Sequence, residues 1–422
     1  MRLVLKNIGK IRSSDISIDG ITVIAGENDT GKSTIAKTLF VLCDSYHNRS
    51  YKIYLERLKN IGKLLQIMKL ENDECEYFFP ATNEDLNNIA TFILDTKDKL
   101  LASKDALREK IVAWLDEITD GSIERPLKLD DAFFTNILEK VRFNVSVPEG
   151  DIFREIVVQT ILAEFVGEAR CLFNDENGNI FVSNGDKDVH IVIDKNGDIS
   201  IDNLSLKLMN AVYIDNLAWF SDEGLPHQMG LAQYFQKDFE LNNAIDELIT
   251  NRKLALVFNK ISNICKGDIV KHKAGNWFYS LNNLKRLLPI DNLSVGVRVF
   301  SIIKFLIKNG AIQENSLLIL DEPETHLHPA WQIVFAEVIV LLYKYLDVRF
   351  LLNTHSPYFL HAIEVYSAHH GIVDKCKYYL SQDTDGMSET EDVTTSVDKI
   401  YKKLLAPIQE LYDVRDAGEE IS

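Results

Sequence analysis

The chain has 422 residues, of which 46% are hydrophobic and 9% aromatic, so it can bury a sizeable core and exceeds a minimal single domain. Two or three structural units of about 150 residues are expected. Its 63 acidic and 46 basic residues give a formal net charge of -17. This charge disfavours a protein whose whole surface binds nucleic acid, although a local basic patch is compatible with it.

Cysteine usage and the apolar segments indicate where the protein resides. The five cysteines contain no C-x-x-C pair, which is typical of a reducing compartment and excludes the usual zinc-ribbon spacings. The N-terminal segment MRLVLKNIGK lacks the apolar core of a signal peptide. The most apolar helical stretch, WQIVFAEVIVLLYKYL, contains Gln332, Glu337 and Lys344 and is shorter than the roughly 20 residues of a membrane span. We therefore expect a soluble cytoplasmic protein that does not bind membranes.

The opening residues alternate between strands and turns. Strands are predicted at Leu3–Ile8, at Asp15–Ile18 and through the segment GITVIAG, and a helix from Lys32 to about Asp44. Residues 46–168 then show helical periodicity with many charges, as in YLERLKNIGKLLQIMKLE, which predicts a helical insertion.

The middle of the chain changes to a period of two. Within residues 170–215, the segments ENGN, SNGD and KNGD are typical of hairpin turns, because Gly or Asn can hold a positive φ there. This region is predicted to form a small antiparallel sheet. A helical stretch at 238–265 and a second hairpin through KAGN are predicted to follow.

The last third of the chain alternates apolar strands with helices. The segment SLLILDE predicts a buried strand, Pro329–Leu346 a helix and VRFLLNTH a second strand, which together form a βαβ unit with parallel strands. The polar stretch SQDTDGMSETEDVTTS is predicted as a loop before a terminal helix. The whole chain is therefore expected to be an α/β protein with a mixed sheet, a small antiparallel β region and a helical insertion.

The segment between the third strand and the first helix matches the pattern G-x-x-x-x-G-K-[ST]. In such a loop, backbone N–H groups surround a β-phosphate, the lysine reaches the β- and γ-phosphate oxygens, and the serine ligates Mg²⁺. We call residues 26–34 the phosphate loop. The nucleotide-binding residues predicted in it are Gly26, Asn28, Asp29, Thr30, Gly31, Lys32, Ser33 and Thr34. Lys32 is also assigned a catalytic role, and Ser33 is assigned as a metal ligand.

Two acidic residues end the buried strand of the segment LLILDEPETHLHP. The strand is expected to deliver Asp321 to the Mg²⁺ ion beside the phosphate loop, and Glu322 is placed to polarise an attacking water. The next strand ends in His355, whose side chain could hydrogen-bond the γ-phosphate and that water. Asp321 is thus a predicted metal ligand, and Glu322 and His355 are predicted catalytic residues.

A second phosphate-binding helix N-terminus is predicted in the segment DNLSVGVRVFSIIKFLI. Ser294 can cap a helix that begins near Gly296, so its hydroxyl and the first free amides would face a phosphate. One nucleotide does not need two such helix ends from one chain. Ser294 and Gly296 are therefore expected to contact a nucleotide held by a partner subunit.

With these motifs in this order, the chain resembles the ABC-type ATPases of the SMC, RecF and OLD group. The resemblance covers about the first 45 and the last 140 residues. It implies a P-loop ATPase fold, ATP and Mg²⁺ as cofactors, and a signature sequence at Leu293–Val297. It also implies a homodimer in which two heads enclose two ATP molecules, each site completed by Ser294 and Gly296 of the other head. Val295 and Val297 depart from the commoner signature.

The resemblance also divides the chain into predicted parts. Residues 1–45 would be the first part of the ATPase core, and residues 291–390 its C-terminal lobe with the signature, the acid pair and the histidine. Residues 46–168 would be the insertion, residues 169–290 an antiparallel β and helical segment of the head, and residues 391–422 a C-terminal helix.

The segments DEPETHLHP and NTHSPYFL look, more narrowly, like the ATPases of bacterial anti-phage systems such as Septu and certain retrons. That resemblance implies a complex, dimeric or larger, in which the ATPase controls a separate nuclease or toxin, with DNA or RNA as a further partner. His326 and His328 are expected at the interface between heads. Two alternatives stay open: a RecF-like DNA-repair ATPase that binds DNA, and a non-catalytic scaffold in which ATP only holds the dimer together.

Overall fold

The computed structural model describes residues 1–422 with the exception of 72–82, 96–103, 119–130, 216–225, 227–253, 273–276, 282–285, 326 and 420–422. The chain forms two compact units, one of residues 1–47 and 157–422 and one of residues 48–156. The second unit lies inside the insertion predicted from the sequence. The KAGN turn and the first part of the helical stretch predicted at 238–265 lie outside the described residues.

The described strands, in chain order, are β1 (Arg2–Ile8), β2 (Ile11–Ser17), β3 (Ile21–Gly26), β4 (Gly178–Asn184), β5 (Lys187–Ile193), β6 (Ile199–Ile201), β7 (Ala211–Ile214), β8 (Asp268–Lys271), β9 (Trp277–Ser280), β10 (Leu288–Pro289), β11 (Leu317–Asp321), β12 (Arg349–Thr354), β13 (Cys376–Thr384) and β14 (Met387–Asp392). The described α-helices are α1 (Lys32–Tyr46), α2 (Arg49–Glu71), α3 (Asn83–Asp95), α4 (Lys104–Ile118), α5 (Asp131–Ser146), α6 (Glu149–Glu164), α7 (Ala255–Ile264), α8 (Val295–Lys308), α9 (Pro329–Leu346), α10 (Pro357–His369) and α11 (Asp398–Glu419).

One mixed sheet of eleven strands organises the first unit, in the order β6-β5-β4-β1-β2-β14-β13-β3-β12-β11-β7. Strand β3 lies between β12 and β13 and is parallel to both. Strand β11 is parallel to β12 and to β7, which confirms the predicted βαβ unit. All of β3 is buried, as expected of a parallel strand covered on both faces. The carboxyl ends of β3, β7, β11 and β12 therefore meet at one edge of the sheet.

The strands in residues 170–215 do not form the separate sheet that the sequence predicts. Strands β4, β5 and β6 continue the large sheet outward from β1, whereas β7 pairs in parallel with β11. The SNGD and KNGD segments are hairpin turns, but ENGN leads into β4. Alternation shows that a strand has one buried face and does not show which strand it pairs with. The small antiparallel sheet consists instead of β8, β9 and β10.

The polar stretch predicted as a loop is the hairpin of β13 and β14, and the prediction was wrong. Asp385 and Gly386 form its turn with φ values of 55° and 79°. Strand β13 pairs with β3 and β14 with β2, so the hairpin lies inside the large sheet. Ser381 and Ser388 are buried on it, and such small hydroxyl residues do not give the apolar alternation expected of a strand.

The second unit is helical, as its periodicity predicts. Helices α2 to α5 enclose an apolar core of their own, whose buried members include Ile61, Ala90, Ile93, Leu94, Ile111, Ile137, Leu138 and Val141. This separate core is what makes residues 48–156 a compact unit.

Helix α9 lies in the core of the first unit, where Phe335, Val338 and Leu342 are buried. Contrary to the sequence prediction, it is long and apolar enough to cross a membrane, and it is the one such helix in the described part of the chain. Half of that apolar window is buried within the protein. The core helix of a soluble protein passes the same test, so α9 is weak evidence for a membrane span.

Candidate functional site

The phosphate loop joins β3 to α1 with two residues in the left-handed region. Asp29 has a φ of 60° and Gly31, at the N-cap of α1, a φ of 79°. A residue without Cβ adopts the latter conformation at no steric cost, which explains the glycine at this position. The backbone thus turns so that α1 begins at Lys32, with its first free N–H groups at the loop.

Lys32 is folded into the loop that it belongs to. Its Nζ donates hydrogen bonds to the carbonyl oxygens of Gly26, at 3.1 Å, and Glu27, at 2.6 Å. Burial lowers the pKa of this ammonium, and the carboxylates of Glu322 and Asp321 oppose the shift. A buried lysine held by two carbonyl groups is well placed to exchange them for the oxygens of a phosphate group.

Neighbouring elements hold the phosphate loop from outside. Lys10, in the turn between β1 and β2, bridges Asp29 at 2.7 Å and Asp383 of β13 at 3.0 Å. The Ser381 hydroxyl donates to the carbonyl of Thr30 at 2.6 Å. The hairpin that the sequence analysis missed therefore contacts the loop directly.

A cavity of about 280 Å³ opens between the phosphate loop and the end of β11. Ser33, Asp321 and Glu322 line it together with Asp215, which directly follows β7. Its remaining wall is largely apolar and includes residues of α8, namely Val295, Val299 and Ile303. The structure thus brings the predicted metal-ligating serine and both predicted acids to one cavity.

Asp321 is oriented by the two strands that flank β11. One of its oxygens accepts a hydrogen bond from the Tyr213 hydroxyl at 2.8 Å, and the other accepts one from Asn353 Nδ2 at 2.9 Å. Burial, with the Asp321 carboxylate alongside, raises the pKa of the Tyr213 phenol, so the hydroxyl stays protonated and donates. Each carboxylate oxygen keeps a further lone pair for a metal ion.

Glu322 follows β11 in an unusual backbone conformation. Its φ is 51°, which is uncommon for a residue with a side chain, and its N–H donates to the carbonyl of Asn353 at 3.0 Å. The neighbouring strand thus holds the turn in place. Strained backbone is often found at functional sites, where the surrounding structure maintains it.

His355 lies beside Glu322 at the end of β12. Its Nδ1 is 3.4 Å from one oxygen of Glu322 and 3.8 Å from one oxygen of Glu324. Both Glu322 and His355 are partly exposed, whereas Glu324 is buried. The two predicted catalytic side chains are therefore neighbours that a solvent molecule or ligand can reach.

Ser294 and Gly296 are placed differently. Helix α8 begins at Val295 with Ser294 at its N-cap, and the Ser294 side chain makes no cap hydrogen bond. Ser294 is exposed, while Gly296 is buried where a Cβ would lie 2.4 Å from the Trp331 ring. Among the described residues that line the cavity, Val295 is present but Ser294 and Gly296 are not.

The two histidines expected at the interface between heads cannot both be placed. His328 is the N-cap of α9, and its Nδ1 accepts from the Ala330 N–H at 3.2 Å. His326 lies outside the described residues.

The donors at the cavity fit a nucleotide with Mg²⁺. The Ser33 hydroxyl and the Asp321 carboxylate are the oxygen ligands that Mg²⁺ prefers, and this ion usually takes only one or two carboxylates together with substrate phosphates. The described residues contain no group of three His, Cys, Asp or Glu side chains that could hold a metal ion. Beside Asp321, the buried Oδ1 of Asn353 has no hydrogen-bond partner among the described groups.

Sequence reasoning missed Asp215, Tyr213, Asn353 and Glu324. Tyr213 stands in a strand with no motif, 108 residues from Asp321. Asn353 begins the segment NTHSPYFL, but its contact with Asp321 depends on the pairing of β11 with β12. Position at a strand end was the available signal for Asp215, because this acid directly follows β7, much as Asp321 ends β11. Glu324 stands inside the DEPETHLHP segment, where a third acid after a buried strand was a signal that went unused.

Comparison with known proteins finds similarity to an ATPase domain in the second half of the chain. Residues 231–360 match the model of the AAA ATPase domain, AAA_15, which implies nucleotide binding. The matched segment includes Asp321, Glu322 and His355, whereas the phosphate loop precedes it.

Similar solved structures include three SMC heads. One is an SMC head bound to the C-winged helix domain of ScpA, with 12% identity, a TM-score of 0.44, and coverage of 94% of this chain and 98% of that chain. The SMC head domain from Thermotoga maritima has 12% identity and a TM-score of 0.39, and the alignment covers 93% of this chain and 98% of that chain. An SMC head with an extended coiled coil, bound to the C-terminal domain of ScpA from Pyrococcus furiosus, has 13% identity, a TM-score of 0.40, and coverage of 98% and 98%. All three TM-scores are below 0.5, so the fold is defined by the strand order of the large sheet and not by these similarities.

Proposed function

We propose that the chain is an ABC-type ATPase head that binds ATP with Mg²⁺ at the phosphate loop and hydrolyses it. The observation that carries this proposal is the cavity in which Ser33 of the phosphate loop meets Asp321 and Glu322 of β11. The match of residues 231–360 to an ATPase domain supports it from the other half of the chain.

The side chains at the cavity divide into binding and proton-transfer roles. Lys32 would exchange its two carbonyl partners for β- and γ-phosphate oxygens and stabilise the charge on the transferred group. Ser33 and Asp321 would hold Mg²⁺, with Tyr213 and Asn353 fixing the carboxylate of Asp321. The metal, when bound, supplies a Lewis acid to the phosphate oxygens.

Glu322 would act as the general base. It would accept a proton from water while the water oxygen bonds to the γ-phosphorus and the bond to the β,γ-bridging oxygen breaks. His355, 3.4 Å from Glu322, would hydrogen-bond the γ-phosphate and the same water. The products are then ADP and inorganic phosphate.

Ser294 and Gly296 would act on the ATP of a second copy. Ser294 is exposed at the first turn of α8, where a helix N-terminus favours an anion. Gly296 packs against the Trp331 ring of α9, and its lack of a side chain would allow the first turn of α8 to lie close to α9. Each head of an ATP-bound homodimer would thus complete the site of the other.

The motif resemblance favours a role in bacterial anti-phage defence, inside the cytoplasm. In this role the ATPase cycle would keep a separate nuclease or toxin silent until infection is sensed. A gene for a nuclease or reverse transcriptase beside this one would support that role, and a recombination operon would support DNA repair instead. Salt-dependent DNA binding with a steep slope would also favour the repair role.

Glu322→Gln tests the ATPase proposal. The variant should bind ATP, lose about 10²–10⁴-fold in turnover because the general base is gone, and accumulate as an ATP-locked dimer. Turnover is measured by phosphate release and the dimer by light scattering with ATP and with ADP. Glu337→Gln, on α9 and paired with Lys260 at 2.6 Å, is the matched control and should keep wild-type turnover. Normal hydrolysis by Glu322→Gln would show that the base is assigned wrongly.

A further inference from the structure

Glu324 is a buried acid that none of the proposed roles uses. It lies two residues after Glu322, and its side chain is among the least exposed charged groups of the described chain, at 3% for the whole residue. Its Oε1 accepts hydrogen bonds from the His355 backbone N–H, at 3.0 Å, and from the Thr354 hydroxyl. Its Oε2 is buried without a hydrogen-bond partner among the described groups.

Such an acid is costly to keep, which argues for a role. Burial raises the pKa of Glu324, and the donors Thr354 and His355 oppose the shift. A buried polar atom without a partner is rare in folded proteins and calls for an explanation. At this location the explanation is that the other oxygen, Oε1, places Thr354 and His355 beside the proposed site.

The groups that Glu324 holds are those from which His355 projects. Thr354 is the last residue of β12, and His355 is the next residue along the chain. Glu324 and Glu322 stand in the same turn, so bonds from Glu324 to the end of β12 fix that end relative to Glu322. The Glu322 N–H bond to the Asn353 carbonyl joins the same segments, and His355 Nδ1 then lies 3.4 Å from Glu322.

We propose that Glu324 is a positioning residue that holds His355 facing Glu322, by accepting hydrogen bonds from the Thr354 hydroxyl and the His355 N–H. The hydrolytic consequence of this role rests on the proposed ATPase function. The hydrogen bonds between Glu324 and the end of β12 do not depend on that function, because they join two chain segments in the protein without nucleotide.

A second attachment keeps the turn folded when Glu324 is changed. Gln332 on α9 donates from Nε2 to the carbonyl of Leu327 at 3.1 Å, and its Oε1 accepts from the Ser356 hydroxyl at 2.9 Å. These bonds join the same two segments without touching Thr354 or His355. Replacing Glu324 should therefore release His355 without unfolding the turn, and Gln332→Ala serves as a comparison that loosens the segments elsewhere.

The test compares Glu324→Ala with Glu324→Gln, because the amide oxygen of glutamine can accept both bonds. We expect Glu324→Ala to lower kcat by about 10-fold or more, since hydrogen bonds to an acidic group are among the stronger ones, while KM for ATP stays within about twofold. Glu324→Gln should keep kcat within about threefold of the wild type. Glu337→Ala is the control at a carboxylate outside the site and should leave kcat unchanged.

Amide hydrogen exchange at His355 measures the attachment without any turnover. The His355 N–H should exchange slowly in the wild type, in Glu324→Gln and in Gln332→Ala, and faster in Glu324→Ala. Thr354→Val, which removes the hydroxyl and keeps the acid, gives a second reading if Glu324→Ala fails to fold. Because the His355 N–H bond to Glu324 remains, Thr354→Val should lower kcat relative to the wild type by less than about 10-fold.

Each outcome decides one statement. Wild-type kcat in Glu324→Ala, or an equal loss in Glu324→Gln and Glu324→Ala, would overturn the positioning role. Unchanged exchange at His355 in Glu324→Ala would overturn it as well. Absence of turnover in the wild type would instead reject the proposed ATPase function, and the exchange measurement would still decide whether Glu324 holds His355.

Discussion

The two sides of the proposed site are built in different ways. The phosphate loop is one contiguous segment, and the ion pair that contacts it from outside is exposed, with Asp29 at 85% side-chain exposure in its pair with Lys10. On the opposite side, at the ends of β7, β11 and β12, Tyr213 and Asn353 donate hydrogen bonds to Asp321. Beside them, the buried Glu324 accepts hydrogen bonds from Thr354 and His355.

The difference distinguishes residues that would contact the ligand from residues that keep other parts of the site in place. On the loop side the backbone itself sets the shape, so the side chain of Lys32 is free to serve a ligand. On the acid side the backbone of several strands must be brought together, and buried side chains maintain that arrangement. We expect loop variants to change nucleotide affinity, and acid-side variants to change turnover, the Mg²⁺ response or stability.

The largest effect should come from Lys32→Ala on the loop side. Losing charge-assisted hydrogen bonds to two phosphate oxygens should weaken ATP binding at least about 100-fold. Titration with a fluorescent ATP analogue measures this change. Lys37→Ala on the same helix, where Lys37 lies 4.0 Å from Glu164, is the matched control and should bind normally. Unchanged affinity in Lys32→Ala would remove the loop from the nucleotide site.

Tyr213→Phe should have the next largest effect, on the acid side. Without its hydroxyl one oxygen of Asp321 loses a partner, and removing such a supporting bond to a metal ligand typically costs about 10–100-fold in metal affinity. The Mg²⁺ concentration that gives half-maximal ATP turnover should rise accordingly. Tyr379→Phe removes the hydroxyl of another buried tyrosine, which accepts from the Ser17 N–H and not from a predicted metal ligand, and should leave the Mg²⁺ response unchanged. An equal Mg²⁺ response in the two variants would contradict the role of Tyr213.

A smaller effect is expected in the pH dependence of stability. The pKa of Glu324 is raised above its usual value of 4.5 in the folded protein, chiefly by burial. Between these two values the unfolded chain loses the proton first, so this residue lowers stability as pH rises. Glu324→Gln cannot ionise, and its stability relative to the wild type should improve as pH rises above the usual pKa of a glutamate. Denaturant midpoints of both proteins measure this difference, and a constant difference would show that Glu324 ionises normally.

Lys10→Ala should have the smallest effect, although Lys10 contacts the phosphate loop. Exposed ion pairs contribute little, so ATP affinity should change less than about fivefold. The change should shrink further at high salt. A loss as large as that of Lys32→Ala would mean that the loop depends on its neighbours as strongly as the acid side does.

The sequence predicts residues that stand in contiguous motifs better than residues that meet only through the pairing of strands. Gly26 to Thr34 and Asp321 with Glu322 stand in contiguous motifs, and hydrophobic patterning predicts the strands that precede them. Tyr213 and Asn353 act through strand neighbours, and the pairing of strands is not written in their periodicity. Ser381 shows the same limit, because a buried serine in a polar stretch is predicted as a loop until its partner strand is known.

The position of β3 in the sheet has a consequence for synthesis on the ribosome. The strand that leads into the phosphate loop appears within the first 26 residues, yet its two neighbours, β12 and β13, begin at residues 349 and 376. Until those segments emerge, β3 lacks both of the strands that it pairs with in the folded protein. Such distant contacts slow folding and expose the nascent chain to aggregation. The proposed nucleotide site can therefore form only after β12 and β13 have been synthesised, and shorter chain fragments should depend on chaperones.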